Sequence, residues 1–455
     1  MSESLLWLLL DTYRARKQGP AAIERRQRAR FTEMVAYARA HSPYYRELYR
    51  DLPERVDDSA LLPVTDKKTL MARFDDWVTD RDVTIEKARK FIEDPSLIGA
   101  PFLGKYLLAI TSGTTGTPGI FVLDHRHLAV GAASMGFIFA QWLTAADFLK
   151  ILFRGMRVAA LHATGGHYAS VAGVTRARLS NRLLARQLKD FSVHTPLPEL
   201  VAKLNELQPA MILGYASIIA LLAGEQEAGR LRIKPVLIVV TAEGLGEGEY
   251  GRIARAFGSK VGNVYGSTEV AQAAYNCREG WLHPLIDWIV LEPVDADYRP
   301  TPPGQQSHTV LVSNLANRVQ PILRYDLGDS ILQRPDPCPC GNPLPAIRVQ
   351  GRAADILTFP TERGEQVSIP PLAFEVNHIQ GIELFQIVQT TPTSLRVRLR
   401  LAPGADPDRV WQAVHTEIRR LLGEHKLGHV TLERAEEPPE QSPPGGKYRE
   451  VIPLS

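Results

Sequence analysis

The 455-residue chain has almost no excess charge of either sign, since 53 basic and 50 acidic side chains leave a net charge of +3. Its overall field is too weak to hold a phosphate polymer or an anionic bilayer, so neither nucleic acid nor a membrane is expected as a partner. Cysteine is scarce. The three present are an odd count that cannot close a disulfide framework, and a cytoplasmic protein with reduced thiols is expected. Long apolar runs are also missing, none reaching the roughly 18 residues of a membrane helix. The stretch Leu5-Leu6-Trp7-Leu8-Leu9-Leu10 follows Glu3 instead of a basic segment and stops at Asp11. It reads as the start of an amphipathic helix and not as a secretory signal. Internal repeats and low-complexity tracts are absent.

What is present is an ordinary globular composition, 44% apolar and 23% charged, with 34 Gly and 33 Pro dispersed along the chain. The length calls for two or three packing units and makes a multidomain enzyme the default class. Residues 1 to about 95 carry apolar side chains at helical spacing, such as Phe31, Met34, Val35 and Ala38. From about 105 to 335, short apolar runs such as 106–110 and 235–240 alternate with helical stretches, the pattern of an α/β sheet. Near the C-terminus the period-two run Arg396 to Leu401 precedes an amphipathic helix expected from about Asp406 to Leu422, giving a small α+β unit.

The densest chemical signal is Thr111-Ser112-Gly113-Thr114-Thr115-Gly116-Thr117-Pro118-Gly119. Glycines let backbone N–H groups turn inward and hydroxyls add donors, so such a loop can wrap triphosphate oxygens. No Gly-Lys-Ser/Thr closes it, which excludes a Walker-type site. By composition alone it is more readily a polar surface loop. Four further segments follow in order: Val264-Tyr265-Gly266-Ser267-Thr268-Glu269, Arg324-Tyr325-Asp326-Leu327-Gly328-Asp329, Gly351-Arg352-Ala353-Ala354-Asp355 and Pro443-Pro444-Gly445-Gly446-Lys447-Tyr448-Arg449. Taken singly, these are a strand end, a polar turn, a loop and an exposed lysine.

Together and in this order they resemble the motifs of the adenylate-forming superfamily, the acyl-CoA synthetases and adenylation domains, from Thr111 to Arg449. The resemblance implies an α/β fold with a large N-terminal domain, helical at its start, over residues 1–350. A small mobile α+β domain over 351–455 would carry the catalytic lysine. It implies that Thr111, Ser112, Gly113, Thr114, Thr115 and Gly116 hold the ATP phosphates and that Tyr265, with Gly266, Ser267 and Thr268, lies against adenine. Glu269 would hold Mg²⁺, Asp329 the ribose hydroxyls, and Arg352 the ribose or phosphate, while Lys447 neutralises charge in the transition state. Ala242, Glu243 and Gly244 resemble the stretch lining the adenine pocket, and Tyr215, His162 and His167 are candidates for the substrate pocket.

The short chain, the segment His41-Ser42-Pro43-Tyr44-Tyr45 and the run Leu62-Pro63-Val64-Thr65-Asp66-Lys67 are most similar to the phenylacetate-CoA ligase group. That branch implies a small aromatic acid activated as acyl-AMP and passed to coenzyme A, and it leaves a homodimer open. The hinge departs from the usual pattern: Ala354 stands where Asp is common, and Thr361-Glu362-Arg363-Gly364-Glu365-Gln366 replaces the usual loop. A carrier protein or an amine as acceptor therefore stays open, as does nitrite activation for aryl-amine diazotisation. A nucleotide-binding protein with a decayed site is the remote reading, opposed by the retention of Glu269, Asp329 and Lys447.

The cysteines fall at Cys277, Cys338 and Cys340, with His283 six residues after the first. Four N/S ligands match a closed tetrahedral Zn²⁺ site, an arrangement some members of the resembling group carry, with buried free thiols as the alternative.

Overall fold

A computed structural model describes residues 5–454, except 112–118, 194, 243, 245–246, 353–354, 362, 364–365, 370, 375, 377–378 and 443–446, and except the side chains of 247, 352, 368, 372, 441, 442, 447 and 448. The first part of the chain is helical: α1 (Leu5–Gln18), α2 (Pro20–His41), α3 (Pro43–Leu48), α4 (Lys67–Ala72), α5 (Phe74–Trp77) and α6 (Ile85–Ile92). Next come β1 (Leu107–Ile110) and β2 (Ile120–Leu123), paired as an antiparallel hairpin, then α7 (His125–Trp142) and α8 (Ala145–Phe153). An alternating stretch follows: β3 (Val158–His162), α9 (Ala169–Ser180), α10 (Arg182–Gln187), β4 (Leu188–Ser192), α11 (Leu197–Leu207), β5 (Met211–Tyr215), α12 (Ala216–Glu227), β6 (Leu237–Thr241), α13 (Glu247–Phe257) and β7 (Lys260–Ser267). Antiparallel strands complete this part: β8 (Ala271–Asn276), β9 (Leu282–Pro284), β10 (Ile289–Val294), β11 (Thr309–Asn314), β12 (Ile322–Asp326), β13 (Asp329–Gln333) and β14 (Ile347–Arg352). The C-terminal part holds β15 (Leu357–Pro360), β16 (Gln366–Ile369), β17 (Ile382–Thr391), β18 (Ser394–Leu401), α14 (Pro407–Glu424), β19 (Thr431–Arg434), β20 (Gln441–Ser442), β21 (Lys447–Tyr448) and β22 (Val451–Ile452).

Among the described residues the main sheet has nine strands in the order β13-β14-β9-β8-β7-β6-β5-β3-β4. The block from β7 to β4 is parallel, and the rest is antiparallel. Strand β6, Leu-Ile-Val-Val-Thr, is apolar on both faces because both are covered. Ile238 and Val240 pack with Leu200, Leu204, Ile219 and Phe257, whereas Leu237 and Val239 pack with Ile138 and Ile151. The helical section docks against a smaller sheet of β10, β11 and β12. In α2, Phe31, Met34, Val35 and Ala38 form the buried stripe that the spacing predicts. The Tyr45 hydroxyl and the Trp77 indole N–H both donate to the Pro321 carbonyl, at 3.0 and 2.6 Å.

The C-terminal part has its own core, from Leu357 to Val451, built on the sheet β19-β18-β17-β22 and the buried stripe Val410, Val414, Ile418, Leu421 of α14. That helix starts as the sequence suggests, with Asp406 accepting from the N–H groups of Asp408 and Arg409 and Pro407 in the first turn.

Candidate active site and metal centre

Strands β5, β6 and β7 run side by side with Tyr215, Thr241 and Val264 in register, and the chain leaving their carboxyl ends borders a cleft of about 2220 Å³. Ligands of open α/β sheets bind at this end of the strands, where the outgoing loops diverge. Ala242 and Gly244 line the cleft just after β6, and Ala242 holds a φ of 70°, a left-handed conformation that a Cβ disfavours. Thr111 lines it at the end of β1. Its hydroxyl accepts from the Gly119 N–H at 2.8 Å and its own N–H donates to the Gly119 carbonyl at 3.0 Å, so it closes the base of the glycine-rich loop. Ser112, Gly113, Thr114, Thr115, Gly116 and Glu243 lie outside the described residues.

Strand β7 then doubles back onto β8 at Gly266. A Cβ there would lie 1.8 Å from the Ala271 carbonyl oxygen, so only glycine permits the fold-back that brings Ser267, Thr268 and Glu269 to the cleft. Tyr265 donates from its hydroxyl to Asp329 Oδ2 at 2.7 Å. The turn before Asp329 is fixed by Asp326, which accepts from the Thr309 hydroxyl at 2.6 Å and the Gly328 N–H at 3.0 Å.

Glu269 is buried, and its Oε1 accepts from the Tyr325 hydroxyl at 3.3 Å. Burial and the neighbouring carboxylate raise the Tyr325 phenol well above its ordinary range, so it stays a donor. Behind Glu269 the Asn314 amide donates to the Glu269 carbonyl at 2.8 Å and to His127 Nδ1 at 3.3 Å. Its oxygen accepts from the Ala316 and Asn317 N–H groups, which fixes the orientation of the amide. Burial lowers His127 to about 4, so the imidazole is neutral and its Nδ1 is free to accept.

The Leu62 to Lys67 segment lies along β12, with the Thr65 N–H donating to the Arg324 carbonyl at 3.0 Å and the Asp326 N–H to the Thr65 carbonyl at 2.8 Å. This brings Asp66, Lys67 and Lys68 to the cleft. On the C-terminal side, Asp355 and Arg449 form an ion pair, and both line the cleft. The backbone of Arg352 ends β14 opposite Asp329, and that of Lys447 lies in the β20–β21 hairpin; both side chains are outside the described residues.

Three expected substrate contacts lie elsewhere. Tyr215, His162 and His167 are not among the described residues that line the cleft. Tyr215 is buried in the core with Ile219 and Val240. His162 ends β3, one strand further out, and its Nε2 faces Asp190 of the edge strand at 3.4 Å. His167 places Nε2 3.2 Å from the Asp94 carbonyl and its ring against Phe91, and burial lowers its basicity.

Cys277, His283, Cys338 and Cys340 converge, their ligand atoms all within 4.8 Å of one another. Cys277 Sγ lies 3.8 Å from Cys338 Sγ, and Cys340 Sγ 3.3 Å from His283 Nε2. Ligand-to-ligand edges of about 3.5–3.8 Å follow from tetrahedral bonds of about 2.3 Å to sulfur and 2.0 Å to nitrogen. The four atoms therefore fit a tetrahedral cation with little adjustment. His283 Nδ1 donates to the Pro345 carbonyl at 3.0 Å, which leaves the Nε2 lone pair facing the cluster. Burial pushes the Cys277 thiol up to about 12, so a bound cation is what would make it a thiolate.

No family model matches the chain. Protein CapK of Staphylococcus aureus is 25% identical over 262 residues, 55% of this chain and 54% of that protein, so the match spans about half the length of this relative. A solved 2-hydroxyisobutyryl-CoA ligase in the postadenylation state, in complex with R3-HIB-AMP, superposes with a TM-score of 0.66 at 21% identity, over 95% of this chain and 89% of that one. The same ligase in the thioesterification state, with 2-HIB-AMP and CoA, gives 0.55 at 22% identity over 96% and 90%. The anthranilate CoA ligase AuaEII in complex with anthranoyl-AMP gives 0.52 at 16% identity over 75% and 65%.

The chain has the adenylate-forming fold. Within it, residues of the site that sequence reasoning passed over are His127 and Asn314, which brace the Glu269 loop from behind. Two signals were available for them. Asp124 precedes His127 at capping distance, accepting its N–H at 2.8 Å to start α7, and the polar pair Ser313-Asn314 ends a strand that is buried throughout.

Proposed function

We propose that the chain uses Mg²⁺ and ATP to convert a small, aromatic carboxylic acid into its acyl-AMP and then passes the acyl group to coenzyme A. The observation that carries this reading is the gathering of Thr111, Tyr265, Glu269, Asp329 and the Asp355–Arg449 pair on one cleft. The aromatic character of the acid rests on resemblance to the phenylacetate-CoA ligase group.

The Asp329 carboxylate would accept both ribose hydroxyls, with Tyr265 orienting it and facing the base. Glu269, a buried carboxylate at the cleft, would hold Mg²⁺, a hard cation suited to oxygen ligands. Bound there, the ion would neutralise phosphate charge. The substrate carboxylate attacks the α-phosphorus, the bond to pyrophosphate breaks, and Lys447 stabilises the charge that develops. Attack of the thiol on the acyl carbonyl then releases AMP. We further propose a domain boundary at 351, with Lys447 carried by the C-terminal domain, and zinc as the cation of the Cys277, His283, Cys338, Cys340 cluster. Its role would be structural, pinning the chain around β9 and β14.

Pyrophosphate release with Mg²⁺ and ATP across a panel of aryl and hydroxy acids tests the reading, with hydroxylamine as trap and Lys447→Ala as control. Acid-dependent release lost in the variant supports adenylation, and CoA stimulation assigns the acceptor. Release without CoA dependence points to a carrier protein or an amine. Silence with every acid, and with nitrite plus aryl amines, sinks the enzymatic reading.

A further inference from the structure

The surface at the outer end of the parallel sheet is both apolar and basic. Strands β3 and β4 start in register, Val158 beside Leu188, so the segments that precede them, α8 and α10, end at the same edge of the sheet. They also share a face. Ile151 of α8 belongs to the same core as Val158, and Arg178 of α9 reaches Asp190, whose register partner Ala160 alternates with Val158 on that face.

Around this corner Phe148, Leu149, Leu152 and Phe153 project from α8 and Leu179, Leu183 and Leu184 from α9 and α10, with Phe153 85% and Leu179 65% exposed. Segments 145–157 and 179–189 also carry Lys150, Arg154, Arg157, Arg182, Arg186 and Lys189, against Asp147 as their single acid. Asp147 is held by Lys260 at 2.7 Å. The whole chain has an excess of three positive charges, so this corner is more basic than the molecule that bears it. Apart from Lys260, which holds Asp147, none of these residues lines the cleft.

We propose that this corner docks on the surface of an anionic lipid bilayer. Large apolar side chains ringed by lysine and arginine are the composition of an element that lies in the interface, with the apolar tips below the headgroups and the cations among the phosphates. It docks without spanning: no single described helix is long and apolar enough to cross a membrane. A second copy of the chain is the poorer occupant, because a two-fold contact through this patch would set the same cations against each other. The near-zero net charge hides the patch, since apart from Asp147 within these segments and Asp190 beside them, each held in an ion pair, the compensating acids lie elsewhere in the sequence.

The full chain is sedimented with vesicles of phosphatidylcholine alone and of phosphatidylcholine with phosphatidylglycerol, at low and raised salt. The expected result is pelleting with the anionic vesicles that weakens several-fold with salt. Arg182→Glu with Arg186→Glu, and separately Leu149→Gln with Phe153→Gln, should each reduce partitioning at least tenfold. All four positions are exposed, so Tm and pyrophosphate release should be unchanged, and those controls separate failure here from failure of the catalytic reading. No pelleting with anionic vesicles overturns the proposal. So does a concentration-dependent dimer in sedimentation velocity that the Leu149→Gln, Phe153→Gln variant dissolves, because the patch would then be a subunit interface.

Discussion

The Tyr265 hydroxyl lies 2.7 Å from Asp329 Oδ2, although three strands separate β7 from β13 in the sheet order. The contact sets the carboxylate before any nucleotide arrives. A hydrogen bond to a charged group contributes about 1.5–3 kcal/mol. Asp329→Asn should therefore raise KM for ATP about 10–100-fold, and Tyr265→Phe, which keeps the ring and loses one donor, by less. Pyrophosphate release against ATP concentration reads both, with KM for the acid as the parameter that should stay put. Equal effects of the two variants on the acid would mean that the pair holds the fold and not the nucleotide.

Gly266→Ala tests the fold-back of β7 on β8. The added methyl would meet a backbone carbonyl at 1.8 Å, and a carbonyl cannot swing away as a side-chain tip can. The hairpin must open, carrying Glu269 with it. Overpacking of this kind costs about 1–3 kcal/mol, enough to lower Tm by several degrees. Pyrophosphate release should fall by more than the folded fraction does. A variant with wild-type Tm and activity would show that the strand pair relaxes freely.

Much of this was legible in the chain. Period-two and period-3.6 patterns located β18, α14 and the helical start, and the apolar runs at 106–110 and 235–240 are β1 and β6. Tyr265 and Asp329, 64 positions apart, were singled out separately, and the sheet puts them in contact. What spacing did not reveal is side-chain direction at strand ends. Tyr215 and His162 both end parallel strands, yet Tyr215 turns into the core and His162 toward the outermost strand. A period of two gives the alternation of faces but not which face meets the cleft. His127 and Asn314 were missed because a hydrogen bond between residues 187 apart leaves no local pattern. The basic corner was missed because net charge sums over the whole surface.

Removal of the metal provides a separate test of the cysteine cluster. About one zinc per chain is expected by elemental analysis, lost in Cys277→Ser and in Cys340→Ser. A strong chelator should lower Tm by several degrees, since a structural zinc site contributes directly to folding free energy. Adenylation should decline in proportion to the folded fraction, as a cation closed off by four protein ligands has no open position for chemistry. Absence of bound metal with unchanged Tm after chelation would make the four residues buried free thiols and an ordinary imidazole.

His127 makes stability depend on acid in a defined window. Burial holds its pKa at about 4, below the ordinary 6.5. Above 6.5 the imidazole is neutral in both states and the shift contributes nothing. As pH falls toward 4 the unfolded chain takes up a proton that the folded one refuses, so stability drops. The loss is complete below the folded value and amounts to roughly 3 kcal/mol. The proton has nowhere to go within the native network, because Nδ1 already accepts from the Asn314 amide that also holds the Glu269 carbonyl. Tm measured from pH 7.5 to 4.5 should fall more steeply in the wild type than in His127→Gln, whose amide oxygen keeps an acceptor and does not titrate in this range. Parallel curves would assign the acid sensitivity to other groups and leave His127 as a packing residue alone.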